Sequence, residues 1–378
     1  MPRFIVLLSF ICCLSAYASS QPISSDQGLQ AQYEKVFYAI TSDGDKGFQG
    51  TPTAAMLEDA IVKLTPLADA GHASSAALLG AIYTGSFSDQ IQPDLSKARA
   101  NYRIAMEGDD PFQRPIACLN LTFLAMASDP DGDDWLEVRK LAECAREEDE
   151  LRVHAAKPLA FSYLFGPDQE TQIPKAEPLL REWLVENSDD AHSAYLFAKG
   201  LRNGWFETED DEEACRNFLI ASELEDDRAH WFTGMCYLEG IHAEKNEKTA
   251  FKWVSLAAEN HEVDGLISLA VMHALGQGTD ISPVKAAAAY EAAIFAASPG
   301  STKQGHALRG LGSMHAFEEL EDPNHLFGYT LLILANEYGD DQAPLLLQRF
   351  DELEPERLKQ VEAEKKRVQE KYDLLIGE

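Results

Sequence analysis

Positive charge is scarce in this chain. Only 32 Lys and Arg stand against 63 Asp and Glu in 378 residues, a formal charge of −31. Such a surface repels phosphate backbones and anionic lipid headgroups, which argues against nucleic acid as a partner. Long apolar runs are lacking too. After residue 18 no stretch reaches the ~18 uninterrupted apolar residues that suggest a spanning helix. Catalytic signatures are missing: there is no HExxH, no Gly-x-Ser-x-Gly and no phosphate-cradling glycine loop. Gly310-Leu311-Gly312 lacks a third glycine and a preceding strand. The ten histidines make no ligand set. His72 and His261 precede helices, and His273 and His315 occupy packing positions. Asp129, Asp131 and Asp133 begin like a calcium loop, but the required glycine is Asp134 and the required glutamate is Lys140. No metal or cofactor is expected, and the sequence gives no positive case for an enzyme.

What is present begins with a leader. Arg3, the apolar run Phe4 to Ala16 and the small-x-small triplet Ala16-Tyr17-Ala18 read as a secretory signal peptide over residues 1–18, cleaved after Ala18. The expected location is periplasmic or secreted, with no stable membrane insertion after cleavage. Losing Arg3 takes the formal charge from −31 to −32. The acid is spread along the chain; its densest run, Glu207 to Glu213, reads as a solvated loop. Residues 19–53 form a leader and an N-terminal helix around Tyr33, Val36, Phe37 and Ile40.

From residue 54 to 341 the chain repeats with a period of 36–42 residues. One column is mostly aromatic: Tyr83, Phe123, Tyr163, Leu201, Tyr237, His273, His315. Three residues earlier a mostly small column runs Gly80, Asn120, Ala160, Ala198, Gly234, Ala270, Gly312. A second helix opens with Ala98, Val138, Ala176, Ala214, Ala250, Ala286, Gly328. Seven residues on lie Ala105, Ala145, Trp183, Ala221, Ala257, Ala293, Ala335. Helices that cross closely need residues without bulk at the contact, so these columns predict stacked helix–loop–helix hairpins. Gly166, Gly204, Gly240 and Gly276 are expected as left-handed caps of the first helices. Trp183 predicts a local distortion of the third hairpin, Phe295 to Ala307 an exposed insertion, and residues 342–378 capping helices. The basic cluster near the C-terminus (Arg357, Lys359, Lys365, Lys366, Arg367, Lys371) reads as the polar back of that cap or as a docking patch.

The small-x-x-aromatic-x-x-Gly first helix and the alanine-spaced second helix resemble Sel1-like repeats, a branch of the tetratricopeptide-type α-solenoids. The resemblance covers residues 56–341. It implies an all-α right-handed superhelical solenoid of seven to eight repeats with a groove lined by the first helices. It also implies a non-catalytic adaptor that binds a protein or peptide. The acidic surface favours a basic partner. Groove candidates between the packing columns are Tyr195, Lys199, Arg202, Trp231, Met235, Ser268 and Met272. Alternatives are a periplasmic regulator of a membrane sensor, as some family members are, and a cell-wall hydrolase built on the repeats.

Cys118 and Cys144 each lie 13 residues from Asp131, and Cys215 and Cys236 flank the Glu225–Asp226 turn symmetrically. Equal distance from a turn places antiparallel positions at similar height. Two readings stay open: disulfides Cys118–Cys144 and Cys215–Cys236, or four buried thiols. Asn120-Leu121-Thr122 is a glycosylation sequon, but it falls in the packing column.

Overall fold

The computed structural model describes residues 27–41, 52–88, 91–108, 110–128, 134–167, 169–317, 320, 324–350 and 355–372. Residues 1–18, read above as a signal peptide, and Asp129, Asp131 and Asp133 lie outside the described residues. The chain divides into two compact units, Met1–Asn187 and Ser188–Glu378.

In the first unit, α1 (Gln27–Thr41) and α2 (Ala54–Asp69) precede three hairpins. These are α3 (Ala73–Tyr83) with α4 (Leu95–Glu107), α5 (Gln113–Ser128) with α6 (Trp135–Ala145), and α7 (Arg152–Phe165) with α9 (Ala176–Glu186). A short helix, α8 (Gln169–Gln172), and a 3-10 turn at Ile173–Lys175 interrupt the third hairpin's loop. Trp183 there is buried and lies under Lys157, 5.6 Å from the ring.

The second unit holds four hairpins: α10 (Ala191–Arg202) with α11 (Asp211–Glu223), α12 (His230–Glu239) with α13 (Glu247–Glu259), α14 (Val263–Leu275) with α15 (Pro283–Ala296), and α16 (Thr302–Ala316) with α17 (His325–Glu337). Two helices follow, α18 (Ala343–Leu347) and α19 (Pro355–Tyr372). No β-strand occurs among the described residues.

The small columns form the hairpin contacts. A Cβ on Gly80 would come 2.7 Å from the Tyr102 ring, and one on Gly234 2.6 Å from Val254 Cγ2. Every alanine of the two second-helix columns is fully buried. In the last hairpin both helices use glycine, because a Cβ on Gly328 would lie 2.7 Å from the Gly312 carbonyl. Asn120 is tolerated among the small residues because its Nδ2 donates to the Ile116 carbonyl at 2.8 Å. It is 4 % exposed, so its sequon is not accessible to a glycan.

Short polar residues start the helices by accepting an amide N–H one turn in. Asp94, Asp190, Asp210, Asn246, Ser282, Ser301 and Asn324 each do so. The acidic run therefore has a local role: Asp210 accepts from the Glu213 N–H at 2.8 Å, and Asp211, Glu212 and Glu213 sit in the first turn, where the helix dipole favours negative charge. Gly240 and Gly276 end α12 and α14 with φ of 74° and 72°. Gly204 also has positive φ, one residue beyond the cap Asn203.

Two expectations need correction. Gly166 ends α7 in an extended conformation, not a left-handed one; glycine is required there because a Cβ would collide with the Ser162 carbonyl, which accepts from Arg139 Nη2 at 2.8 Å. The segment Phe295 to Ala307 is mostly helical, and only residues 297–301 connect α15 to α16. Ser301 caps α16, and the buried Gln304 donates from Nε2 to the Ile294 carbonyl at 3.0 Å, drawing the segment into the core.

At the C-terminus α19 lies against α17 and buries Val361, Val368 and Tyr372. Its cations face acids: Lys365 meets Glu337 at 2.6 Å, and Lys371 and the Tyr372 hydroxyl both donate to Glu291 Oε1 at 2.8 Å.

Candidate functional site

The candidate site is the row of first helices in the second unit. Tyr195 on α10 is buried at 8 % exposure beneath Arg228, whose guanidinium carbon lies 4.7 Å from the ring centroid. Arg228 is held there by Asp226 and by a bond from Nη2 to His192 Nδ1 at 2.7 Å. Lys199, half-buried one turn on, spans the rings of Tyr195 and Trp205 at 5.7 and 5.3 Å. Phe232 stacks on Phe218 at 4.5 Å and borders Tyr195 and Trp231. Trp231 is half-buried, and its indole Nε1 donates to Ser268 Oγ on α14 at 2.9 Å. Met235, also half-buried, lies one turn along α12 from Trp231. Tyr195, Lys199, Trp231 and Ser268 are thus joined by direct contacts or through Arg228 and Phe232.

Two of the expected groove residues lie elsewhere. Met272 is 1 % exposed and packs with Ala250 and Val254, so it is core and offers no surface to a partner. Met272 lies one turn on from Ser268, on the same side of α14, but there α13 covers it through Ala250 and Val254. Arg202 is engaged by Glu239 at 2.6 Å and lies 3.7 and 3.9 Å from the sulfurs of Cys215 and Cys236. The structure pairs these two cysteines, and also Cys118 with Cys144, at Cα separations of 5.7 and 6.0 Å. Cys215–Cys236 links α11 to α12, neighbouring hairpins; Cys118–Cys144 closes α5 on α6 within one hairpin.

Glu262, immediately before α14, was not distinguished by the sequence reading. Its Oε2 is buried without a hydrogen-bond partner. Burial, and then the adjacent Asp264, push its carboxyl up to about 7, against the opposing pull of Lys303. The same neighbourhood reaches Tyr195: burial raises its phenol, with Arg228 and Lys303 opposing and Glu262 and Asp226 adding to the effect. Lys303 on α16 donates to Asp264. One signal could have identified Glu262. It stands at a helix-start position where this chain elsewhere places short capping residues, and its longer side chain makes no cap bond. Among the described residues no group of three His, Cys, Asp or Glu is arranged to hold a metal.

The Sel1 repeat family model matches residues 73–110 and 227–261, which are α3–α4 in the first unit and α12–α13 in the second. No curated protein sequence matches the chain. Among solved structures, the chain is similar to a protective antigen of uropathogenic Escherichia coli displaying an SLR fold. That match has 18% identity and a TM-score of 0.55, over 91% of this chain and 77% of that one. A Sel1 repeat protein from Oxalobacter formigenes aligns at 18% identity and a TM-score of 0.45, over 93% of both chains. The first of these likenesses gives the fold. With the hairpin columns, the matched segments show that the chain carries Sel1-like repeats, and its fold is an all-α solenoid.

Proposed function

We propose that this protein is an exported, non-catalytic scaffold that binds a protein or peptide partner, preferably a basic one, on the first-helix row of its second unit. The observation that carries this reading is the row itself. Aromatic and cationic side chains from successive hairpins are fixed in place by Arg228 on Tyr195 and by Trp231 on Ser268. Pre-fixed aromatic anchors lose little entropy on binding, and Trp, Tyr and Arg dominate interface energies. Sel1 repeats are generally protein-interaction scaffolds, and the leader read over residues 1–18 supports export. Among the described residues no helix is long and apolar enough to cross a membrane. The net charge of −31 disfavours nucleic acid and favours basic surfaces.

The test is capture from a periplasmic extract with the immobilised protein, repeated with Trp231→Ala. The expected result is a partner whose affinity falls at least about tenfold in the variant, the loss typical of a buried aromatic anchor. Unchanged affinity in Trp231→Ala would show that the partner uses another face. No captured partner, together with turnover of a cell-wall substrate by purified protein, would overturn the scaffold reading.

A further inference from the structure

Asn203 and Gly204 form the one Asn-Gly pair in the sequence. They stand where α10 ends: Asn203 is its C-cap, and Gly204 follows with φ of 65°. Both are exposed. With Leu201, Arg202, Glu209 and Asp211 they line an open cavity of ≈ 470 Å³, so water reaches them. Among the described residues neither the Asn203 side chain nor the Gly204 N–H makes a hydrogen bond. Other asparagines are tied down. Asn120 and Asn187 each donate from Nδ2 to a carbonyl one turn back, at 2.8 and 3.0 Å. Asn246 and Asn324 each accept a helix-start N–H at 3.0 Å.

We propose that this turn is a site of slow self-modification, in which Asn203 becomes aspartate and, mostly, isoaspartate, and that the isoaspartate form loosens the end of α10 beside the first-helix row. The Gly204 nitrogen loses its proton to a solvent base and attacks Asn203 Cγ. A C–N bond forms, the side-chain amide leaves as ammonia, and a five-membered imide remains. Water then adds to one of the two imide carbonyls. Opening at Cγ gives aspartate; opening at the main-chain carbonyl gives isoaspartate, whose backbone runs through Cβ and Cγ. The sum is one water in and one ammonia out. Glycine favours the closure because a Cβ on residue 204 would crowd the attacking nitrogen. The reaction needs no partner and does not rest on the scaffold reading.

The fold sets the pace. Asn203 ψ is 7°, which holds the Gly204 nitrogen away from Cγ, so the turn opens before the ring closes. The bond that closes the turn runs from the Trp205 N–H to the Gly200 carbonyl at 3.0 Å, and helix ends of this kind open at little cost. Isoaspartate lengthens the backbone there and sets a negative charge at a helix C-terminus, where the dipole disfavours it. Glu209 adds repulsion, since its Oε1 lies 3.4 Å from where a Cβ on Gly204 would be. The longer backbone puts the Trp205–Gly200 bond out of register, and Trp205 is the ring that Lys199 covers at 5.3 Å.

The test incubates the full-length protein at pH 8 and 37 °C for several weeks and digests it with Lys-C, which leaves Asn203 inside its peptide. Chromatography with mass spectrometry separates the asparagine, aspartate and isoaspartate forms. Asn203 should convert at least about fivefold faster than Asn187 or Asn260, with isoaspartate the larger product. The isoaspartate protein, isolated by ion exchange, should melt below fresh protein. Asn203→Asp, which carries the charge on a normal backbone, should melt between the two. Conversion of Asn203 no faster than that of Asn187 or Asn260 would overturn the site. An isoaspartate form that melts with fresh protein, or Asn203→Asp melting as low as that form, would overturn the backbone effect on α10.

Discussion

Glu262 carries a stability consequence of its own. An acid whose folded value is raised from 4.5 to about 7 binds its proton more tightly in the folded chain. Below pH 4.5 both folded and unfolded forms are protonated and nothing is lost. As pH rises through 7 the folded state must ionise a poorly solvated group, and stability falls. Glu262→Gln removes that loss. The variant is expected to be more stable than wild type at pH 8 by about 1–2 kcal/mol, discounted for partial exposure, and to match it at pH 4. Thermal melts at the two pH values check this, and equal melting points at pH 8 would show that the carboxylate is adequately solvated. The sequence could not supply this residue's role. A single acid has no periodic signature, and the groups that act on it include Lys303 of α16, which is far from it in the chain. Met272 failed for the opposite reason. Periodicity marks the core side of a helix sharply, but flanking residues divide between core and surface by angles that one sequence does not specify.

Helix contacts were far more legible, because close crossing leaves a visible constraint on residue size. Gly80 shows which effect governs these columns. In an isolated helix Gly→Ala gains about 1 kcal/mol of propensity. Here the added Cβ would meet the Tyr102 ring at 2.7 Å, and overpacking typically costs about 1–3 kcal/mol. Gly80→Ala is therefore expected to lower stability in urea denaturation; a gain would mean that the ring moves aside freely. The disulfides act between elements. They close loops with sequence separations of 26 and 21, for which restriction of the unfolded chain contributes ~3 kcal/mol each. Replacing both cysteines of one pair with alanine should lower the melting temperature of the unit that holds it by roughly 6–12 °C. Calorimetry of the Cys215→Ala/Cys236→Ala variant tests the inter-hairpin link, and an unchanged melt would show that hairpin packing alone fixes α11 against α12. Equal distance from a turn revealed which cysteines could meet. Spacing carries no information on sulfur oxidation, so the sequence leaves the choice between thiols and disulfides open.

At the scale of the whole molecule the dominant quantity is charge. With 63 acids against 32 cations, about half of the carboxylates have no Lys or Arg to balance them, and they repel one another more in the folded chain than in the expanded one. Salt shortens the range of that repulsion, from about 30 Å at 0.01 M to about 3 Å at 1 M. Raising NaCl from 10 mM to 0.5 M should therefore raise the melting temperature. The same screening weakens attraction to a basic partner, so capture should fall over the same range. These opposite signs separate the two roles of the acid. Exposed ion pairs such as Lys63–Asp59 and Lys97–Asp94 contribute too little each to reverse the stability trend. A melting temperature that drops with salt would mean that paired charges outweigh net repulsion. Partner capture that is insensitive to salt would mean that aromatic contacts around Trp231, rather than the acidic field, determine recognition.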